Sequence, residues 1–112
     1  MTVPRPGTPV RGSSTGRPIM AVLDLLGRRW VLRIVWELHN APLTFRQLQE
    51  RCDGMSPTVL NTRLHELRDS GIVTTAEQGG YALSASGAAL LVALDPLLKW
   101  AEGWEGTFPP AP

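Results

Sequence analysis

The sequence predicts a single, mainly α-helical domain with one small β-hairpin, and three observations carry that prediction. Apolar residues recur at helical spacing through several separated stretches, two helix starts bring their own capping residues, and a glycine pair divides two short β-prone runs. The 112 residues have room for one domain. Residues 1–16 hold Pro4, Pro6, Pro9, three glycines and a Ser13-Ser14-Thr15 run, a composition that reads as a flexible tail. The folding unit is expected over 17–104, with a second tail over 105–112. A domain that small buries only about 60–65% of its unfolded-chain surface and gains from apolar burial against a second copy.

Each element follows from its residues. Ile19 to Leu26 is apolar nearly all round apart from Asp24, which predicts a short helix buried on several sides and ended by Gly27. A second helix is expected over 28–39, where Trp30, Val31, Ile34, Val35 and Leu38 define one buried face and Leu32 and Trp36 another. Asn40-Ala41-Pro42 is a turn. Thr44 and Gln47, three apart, form a capping box that opens a third helix to about Cys52, with Phe45 and Leu48 inward. Asp53-Gly54-Met55 is a three-residue turn. Ser56-Pro57 then supplies an N-cap and a first-position proline for a helix that runs to Ser70 and stops at Gly71. Leu60, Leu64 and Leu67 are its inward stripe, with Val59 alongside.

Ile72 to Glu77 and Tyr81 to Ser84 read as strands around a Gln78-Gly79-Gly80 turn. Asp95-Pro96 looks like a fresh helix start, so the remaining helical stretch is expected as two pieces, 86–94 and 96–104. Across that break Leu90, Leu94, Leu97, Ala101 and Trp104 alternate spacings of four and three, a seam suited to packing against another helix.

Charge and composition narrow the function. Net charge is +1, but residues 1–41 carry six arginines against Asp24 and Glu37, residues 42–71 are balanced, and residues 72–112 are net −3. Affinity for a polyanion should therefore be modest and salt-sensitive. The longest apolar run, residues 88–94, is far below the ~20 residues of a membrane span. The proline- and glycine-bearing N-terminus does not read as a signal peptide, and Cys52 is the only cysteine, so a cytoplasmic location is expected without membrane or internal disulfide. An enzyme is not expected. Cys52, His39 and His65 lie on separate helices with no glycine-rich phosphate loop, and one cysteine with two histidines makes no ordinary zinc site. No cofactor or metal is implied.

Two helices of about 9 and 15 residues, joined by a three-residue glycine turn and followed by a hairpin, describe a winged helix-turn-helix. In that geometry the first helix braces the second, whose open face can enter a DNA major groove. The sequence resembles the HxlR family of bacterial regulators, relatives of MarR-type proteins, over about residues 18–104. The resemblance rests on Leu23-Asp24-Leu25-Leu26-Gly27-Arg28-Arg29-Trp30, on Phe45-Arg46-Gln47-Leu48 and on the run from Ser56 to Leu67. Gly71-Ile72-Val73 and the run from Tyr81 to Gly87 complete it. It implies a homodimer that binds a pseudo-palindromic operator in double-stranded DNA, with terminal helices as the dimer interface. Two departures stand out. Where many members place a redox-sensing cysteine this chain has Arg17, and its wing is shortened to Glu77-Gln78-Gly79-Gly80 without a positive charge.

The candidate DNA-contacting residues are Ser56, Thr58, Asn61, Thr62, Arg63 and His65 on the second helix of the pair, with Arg28 and Arg29 as phosphate ligands. Asn61 can pair bidentately with adenine, and Thr58 or Thr62 can meet a thymine methyl or a phosphate. The plainer reading of the same face is a solvated helix surface, and Arg63 has a second option in pairing with Glu66 or Glu50. Tail arginines Arg5, Arg11 and Arg17 could track DNA as an arm. The candidate dimerisation residues are Ile19, Leu23, Trp36, Leu94, Leu97, Trp100, Ala101 and Trp104. Trp100 and Trp104 either anchor that interface or line a pocket for a small-molecule effector of unassigned identity. Cys52 reads as a structural thiol rather than a sensor. The competing function is a winged-helix protein-interaction module that binds no specific DNA.

Overall fold

Five helices and an antiparallel hairpin make up the fold, one helix fewer than the patterning predicts, in a computed structural model that describes residues 3–10, 14 and 16–110. The helices are α1 (Pro18–Leu26), α2 (Val31–Glu37), α3 (Phe45–Arg51), α4 (Pro57–Asp69) and α5 (Ala85–Glu105); the strands β1 (Val73–Thr75) and β2 (Tyr81–Leu83) precede α5. Helix α2 lies at the centre and touches α1, α3 and α5. Its Val31, Ile34 and Val35 are wholly buried with Leu48 of α3 and Leu60 and Leu67 of α4. These aliphatic side chains form one continuous core, joined by Leu25, Met55 and Val73.

The hairpin pairs Val73 with Leu83, Thr74 with Ala82 and Thr75 with Tyr81. The segment before α3 adds a one-residue bridge on the other edge of β2: Leu43 N–H donates to the Tyr81 carbonyl at 2.9 Å and Tyr81 N–H to the Leu43 carbonyl at 2.8 Å. Gly80 makes that approach feasible, because its φ is +90° and a Cβ there would lie 2.6 Å from the Leu43 oxygen. At the far end Ser84 caps α5, accepting from Gly87 N–H at 3.0 Å while its hydroxyl donates to the Gly71 carbonyl at 2.6 Å. Gly87 lets α5 press on the chain leaving α4, since a Cβ there would stand 2.2 Å from the Ile72 oxygen. The hairpin is thus tied near its turn to the segment before α3 and at its open end to α5.

Several boundaries differ from the sequence expectation. Helix α2 begins at Val31 rather than at residue 28, because Arg28 and Arg29 belong to a turn and Trp30 is the N-cap with φ +77°. A left-handed aromatic residue is a strained conformation, costing about 1–3 kcal/mol, and needs support from its surroundings. The C-terminal helix is unbroken from Ala85 to Glu105 with Pro96 inside it. Asp95 does not restart the helix; it pairs with Lys99, one turn on, at 3.0 Å. The proline removes the partner of the Val92 carbonyl on a stretch where Val92 is 74% exposed, so water can satisfy that oxygen. Helix α1 buries only Ala21 and Leu25, not several sides. The strands are three residues each, shorter than the apolar runs that announced them. Residues 3–10, expected in a free tail, lie back on the fold: Val3 is buried, and Pro4 and Pro6 line an apolar cavity with Ala21, Leu25, Ile72 and Leu90.

Candidate nucleic-acid interface

The α3–turn–α4 unit is built from local hydrogen bonds that its sequence encodes. The Thr44 hydroxyl accepts from Gln47 N–H at 3.1 Å while the Gln47 side-chain oxygen accepts from Thr44 N–H at 2.9 Å. The turn needs two successive left-handed residues, Asp53 (φ +58°) and Gly54 (φ +69°). Gln49 steadies it by donating its side-chain amide to the Met55 carbonyl at 3.0 Å. Ser56 caps α4 through Val59 N–H, and Pro57 occupies the first helical position. With Leu60, Leu64 and Leu67 locked inward, the opposite face of α4 is fixed in direction.

On that outer face Ser56, Thr58, Asn61 and His65 are exposed. Thr62 is half-buried and its hydroxyl donates to the Thr58 carbonyl at 2.9 Å, which leaves the oxygen lone pairs and the methyl group for a partner. Arg68, not singled out from the sequence, is exposed three residues beyond His65 at the edge of the same stripe. The i+3 step from His65 was the available signal.

The three candidate arginines are not equivalent. Arg29 is exposed, its guanidinium 5.7 Å from the Trp30 ring centroid. Arg28 and Arg63 point instead at Glu66, which is 4% exposed: Arg28 Nη1 pairs with Glu66 Oε2 and Arg63 Nη1 with Oε1. Arg63 Nε also donates to the Arg29 carbonyl at 2.8 Å. Of the two expected partners for Arg63, Glu66 is the one it meets. Both side chains lie mostly against the domain, at 13% and 19% exposed. The helix-end setting expected for Arg28 and Arg29 is also absent, since both precede α2. Past β1 the wing tip exposes Glu77, Gln78 and Gly79.

The candidate dimerisation residues lie on α1, α2 and α5. Ile19, Leu23, Trp36, Leu97, Trp100 and Trp104 are exposed, as is Ala101, and Leu94 is half-buried. Leu32 and Trp36 of α2 face Leu91, Leu94, Leu97 and Leu98 of α5 across an open apolar cleft of about 350 Å³. Beyond it Trp100 and Trp104 stack at 5.6 Å, and Phe108 sits edge-on to Trp104 at 5.1 Å. Leu90 and Leu91 pack on the protein's own core, so the C-terminal seam serves the core at its start and faces outward at its end.

Cys52 closes α3 and is wholly buried, which pushes its thiol pKa up by desolvation. Arg33 braces the neighbouring turn by donating to the Arg51 carbonyl at 2.6 Å and pairing with Glu37 at 2.7 Å. Among the described residues no three His, Cys, Asp or Glu side chains come together as a metal site, and no helix is long and apolar enough to cross a membrane. Arg11 lies outside the described residues.

A braced helix with an open polar face, followed at once by a two-stranded hairpin, defines the class of winged helix-turn-helix transcriptional regulators. The HxlR-like helix-turn-helix model matches residues 25–107, and the chain belongs to that family. It is 34% identical over 88 residues to the HTH-type transcriptional regulator YvaP of Bacillus subtilis, covering 73% of this chain and 82% of that protein. The crystal structure of quinone-bound YodB from B. subtilis matches with a TM-score of 0.71 at 29% identity, over 76% of this chain and 94% of that one. A MarR-family regulator from Enterococcus faecalis matches with a TM-score of 0.73 at 26% identity, over 88% of this chain and 94% of that one. All three are named as transcriptional regulators.

Proposed function

We propose that this HxlR-type regulator reads a pseudo-palindromic operator in double-stranded DNA as a homodimer in the cytoplasm, with α4 as its recognition helix. The observation that carries the reading is the outer face of α4, where Thr58, Asn61 and His65 are exposed in line while the leucines opposite are sealed in the core. Asn61 brings donor and acceptor together for a base edge, and the threonines suit a thymine methyl or a phosphate. Arg29 and Arg68, exposed at the two ends of this region, supply charge for the backbone. A second copy accounts for the large apolar side chains exposed on α1, α2 and α5, among them Ile19, Leu23, Trp36, Leu97 and Trp100. Two-fold symmetry in the protein then calls for two-fold symmetry in its site.

One observation favours a protein-interaction module instead. Arg28 and Arg63 are engaged with Glu66, and the wing tip carries Glu77 but no cation. Electrophoretic mobility shifts on the DNA upstream of the protein's own gene, at two salt concentrations and against scrambled DNA, separate the readings. If each subunit neutralises about three phosphates, the dimer's log–log salt slope is near −5, from about −0.9 per contact. A slope near zero, or equal affinity for scrambled DNA, would favour the interaction module.

A further inference from the structure

We propose that Glu66, held between Arg28 and Arg63, is a positioning residue that fixes the angle of α4 against the α1–α2 turn and so sets the half-site spacing the dimer accepts. This rests on the DNA-reading role of α4 proposed above. Glu66 is the one charged residue buried among the described residues. Its two oxygens are divided between two elements: Arg63 lies one turn away on α4 itself, whereas Arg28 comes from the turn 38 residues earlier in the chain. Arg63 crosses the same junction a second time by bonding the Arg29 carbonyl, 34 residues away. That carbonyl belongs to the peptide entering Trp30, the residue held in a left-handed conformation. Val59 and Arg63 share a flank of α4 with Glu66, and the first two line one cleft with Arg29, Trp30 and Met55.

A buried ion pair is a poor source of stability, because desolvation offsets most of the attraction. What it supplies is direction. The leucine stripe of α4 decides which side faces the core, but apolar contact is non-directional and tolerates small rotations. Guanidinium–carboxylate hydrogen bonds are directional, and here one nitrogen of each arginine must reach a different Glu66 oxygen. The turn they hold joins α1 to α2, and these helices carry Ile19, Leu23 and Trp36 of the exposed apolar surface. A rotation of α4 at this junction would therefore change the distance and angle between the two recognition helices of a dimer. Inserting one base pair between half-sites alters their relation by about a tenth of a helical turn, so the angle matters.

The test replaces the ionic junction by an apolar one. The triple variant Arg28→Met/Arg63→Met/Glu66→Leu removes the directional bonds without leaving a buried charge unpaired, so it should remain folded, as checked by thermal melting, even if the single variant Glu66→Ala does not. Operators selected by the wild-type protein from random duplex DNA are then re-measured with one base pair inserted or deleted between half-sites. The ratio of native-spacing to altered-spacing affinity should fall about tenfold in the triple variant, an effect of the same order as the discrimination one base-reading side chain provides. A second arm needs no DNA. Spin labels at Asn61→Cys in a Cys52→Ala background should give a narrow distance between the two protomers in the free dimer and a broad one in the triple variant. An unchanged spacing ratio, an equally narrow distance in a folded triple variant, or a monomeric wild-type protein overturns the proposal. Failure to select any DNA while the distance still broadens removes the operator reading and the spacing role, and leaves only a structural brace.

Discussion

Leu97→Asp should convert the protein into a folded monomer and weaken operator binding in step. Leu97 is 53% exposed, so about half of its side chain remains to be buried by a second copy. Full burial of a leucine side chain stabilises by about 1.5–3 kcal/mol, so the missing half is worth roughly 1 kcal/mol. A two-fold interface contains the residue twice, which makes the loss about 2 kcal/mol before the new charge is considered. Placing a carboxylate in an apolar seam adds at least a further ~1 kcal/mol per dimer, since effective desolvation penalties run to several kcal/mol per ion. The total, about 3 kcal/mol or more, weakens dimerisation by at least roughly a hundredfold. The fold should survive, because Leu97 is outside the buried core. Sedimentation or light scattering across micromolar concentrations reads the assembly state, and circular dichroism reads the fold. A wild-type protein that is monomeric and folded at micromolar concentration would refute the reasoning, as would a variant that dimerises as tightly as its parent.

Three further outcomes follow from other parts of the molecule. Asn61→Ala should lower discrimination between operator and scrambled DNA by about 1–3 kcal/mol, whereas Gln78→Ala at the wing tip should change it much less; a larger loss from the wing variant in parallel titrations would move the readout to the hairpin. Gly87→Ala should lower stability by about 1–3 kcal/mol, because its methyl group would meet the Ile72 carbonyl; for a domain this size that is a fall of at least about 4 °C in Tm, and an unchanged melting curve would show that α5 can shift away freely. Burial raises the Cys52 thiol pKa, so the thiolate is scarce at neutral pH and peroxide should leave DNA affinity unaltered; peroxide-induced release that disappears in Cys52→Ala would make that cysteine a sensor.

How much of this was legible in the sequence depended on how far apart the deciding residues stand. The helix-turn-helix was legible because its instructions are local: Thr44 with Gln47, Asp53 with Gly54, Ser56 with Pro57, and a leucine repeat that sets which side of α4 faces inward. Each acts within one or two turns of its own position, and the outward direction of Thr58, Asn61 and His65 follows automatically. The continuous α5 was not legible, because Asp95-Pro96 satisfies the local rule for a helix start while the cost of an internal proline depends on whether water reaches the Val92 carbonyl. Nor was the extent of α1's exposure, since an all-round apolar helix reads the same whether its cover comes from its own domain or from a second copy.

The charged residues show the limit most clearly. The sequence offers Arg28 as a phosphate ligand at a helix start and Glu66 only as a neighbour for Arg63 on the same helix, and it does not bring Arg28 and Glu66 together. Their pairing spans 38 residues and requires α4 to be already packed beside the α1–α2 turn. Nothing local to Arg28 predicts that it will leave the helix to reach a carboxylate, or that Trp30 will take up φ +77° behind it. The candidate surface is poorer in cations than the arginine count suggests, because two of the arginines nearest α4 are occupied in holding it. Charge in this chain is therefore divided between two tasks. Arg29 and Arg68 are exposed beside the outer face of α4, while Arg28 and Arg63 are held against Glu66 where α4 meets the α1–α2 turn.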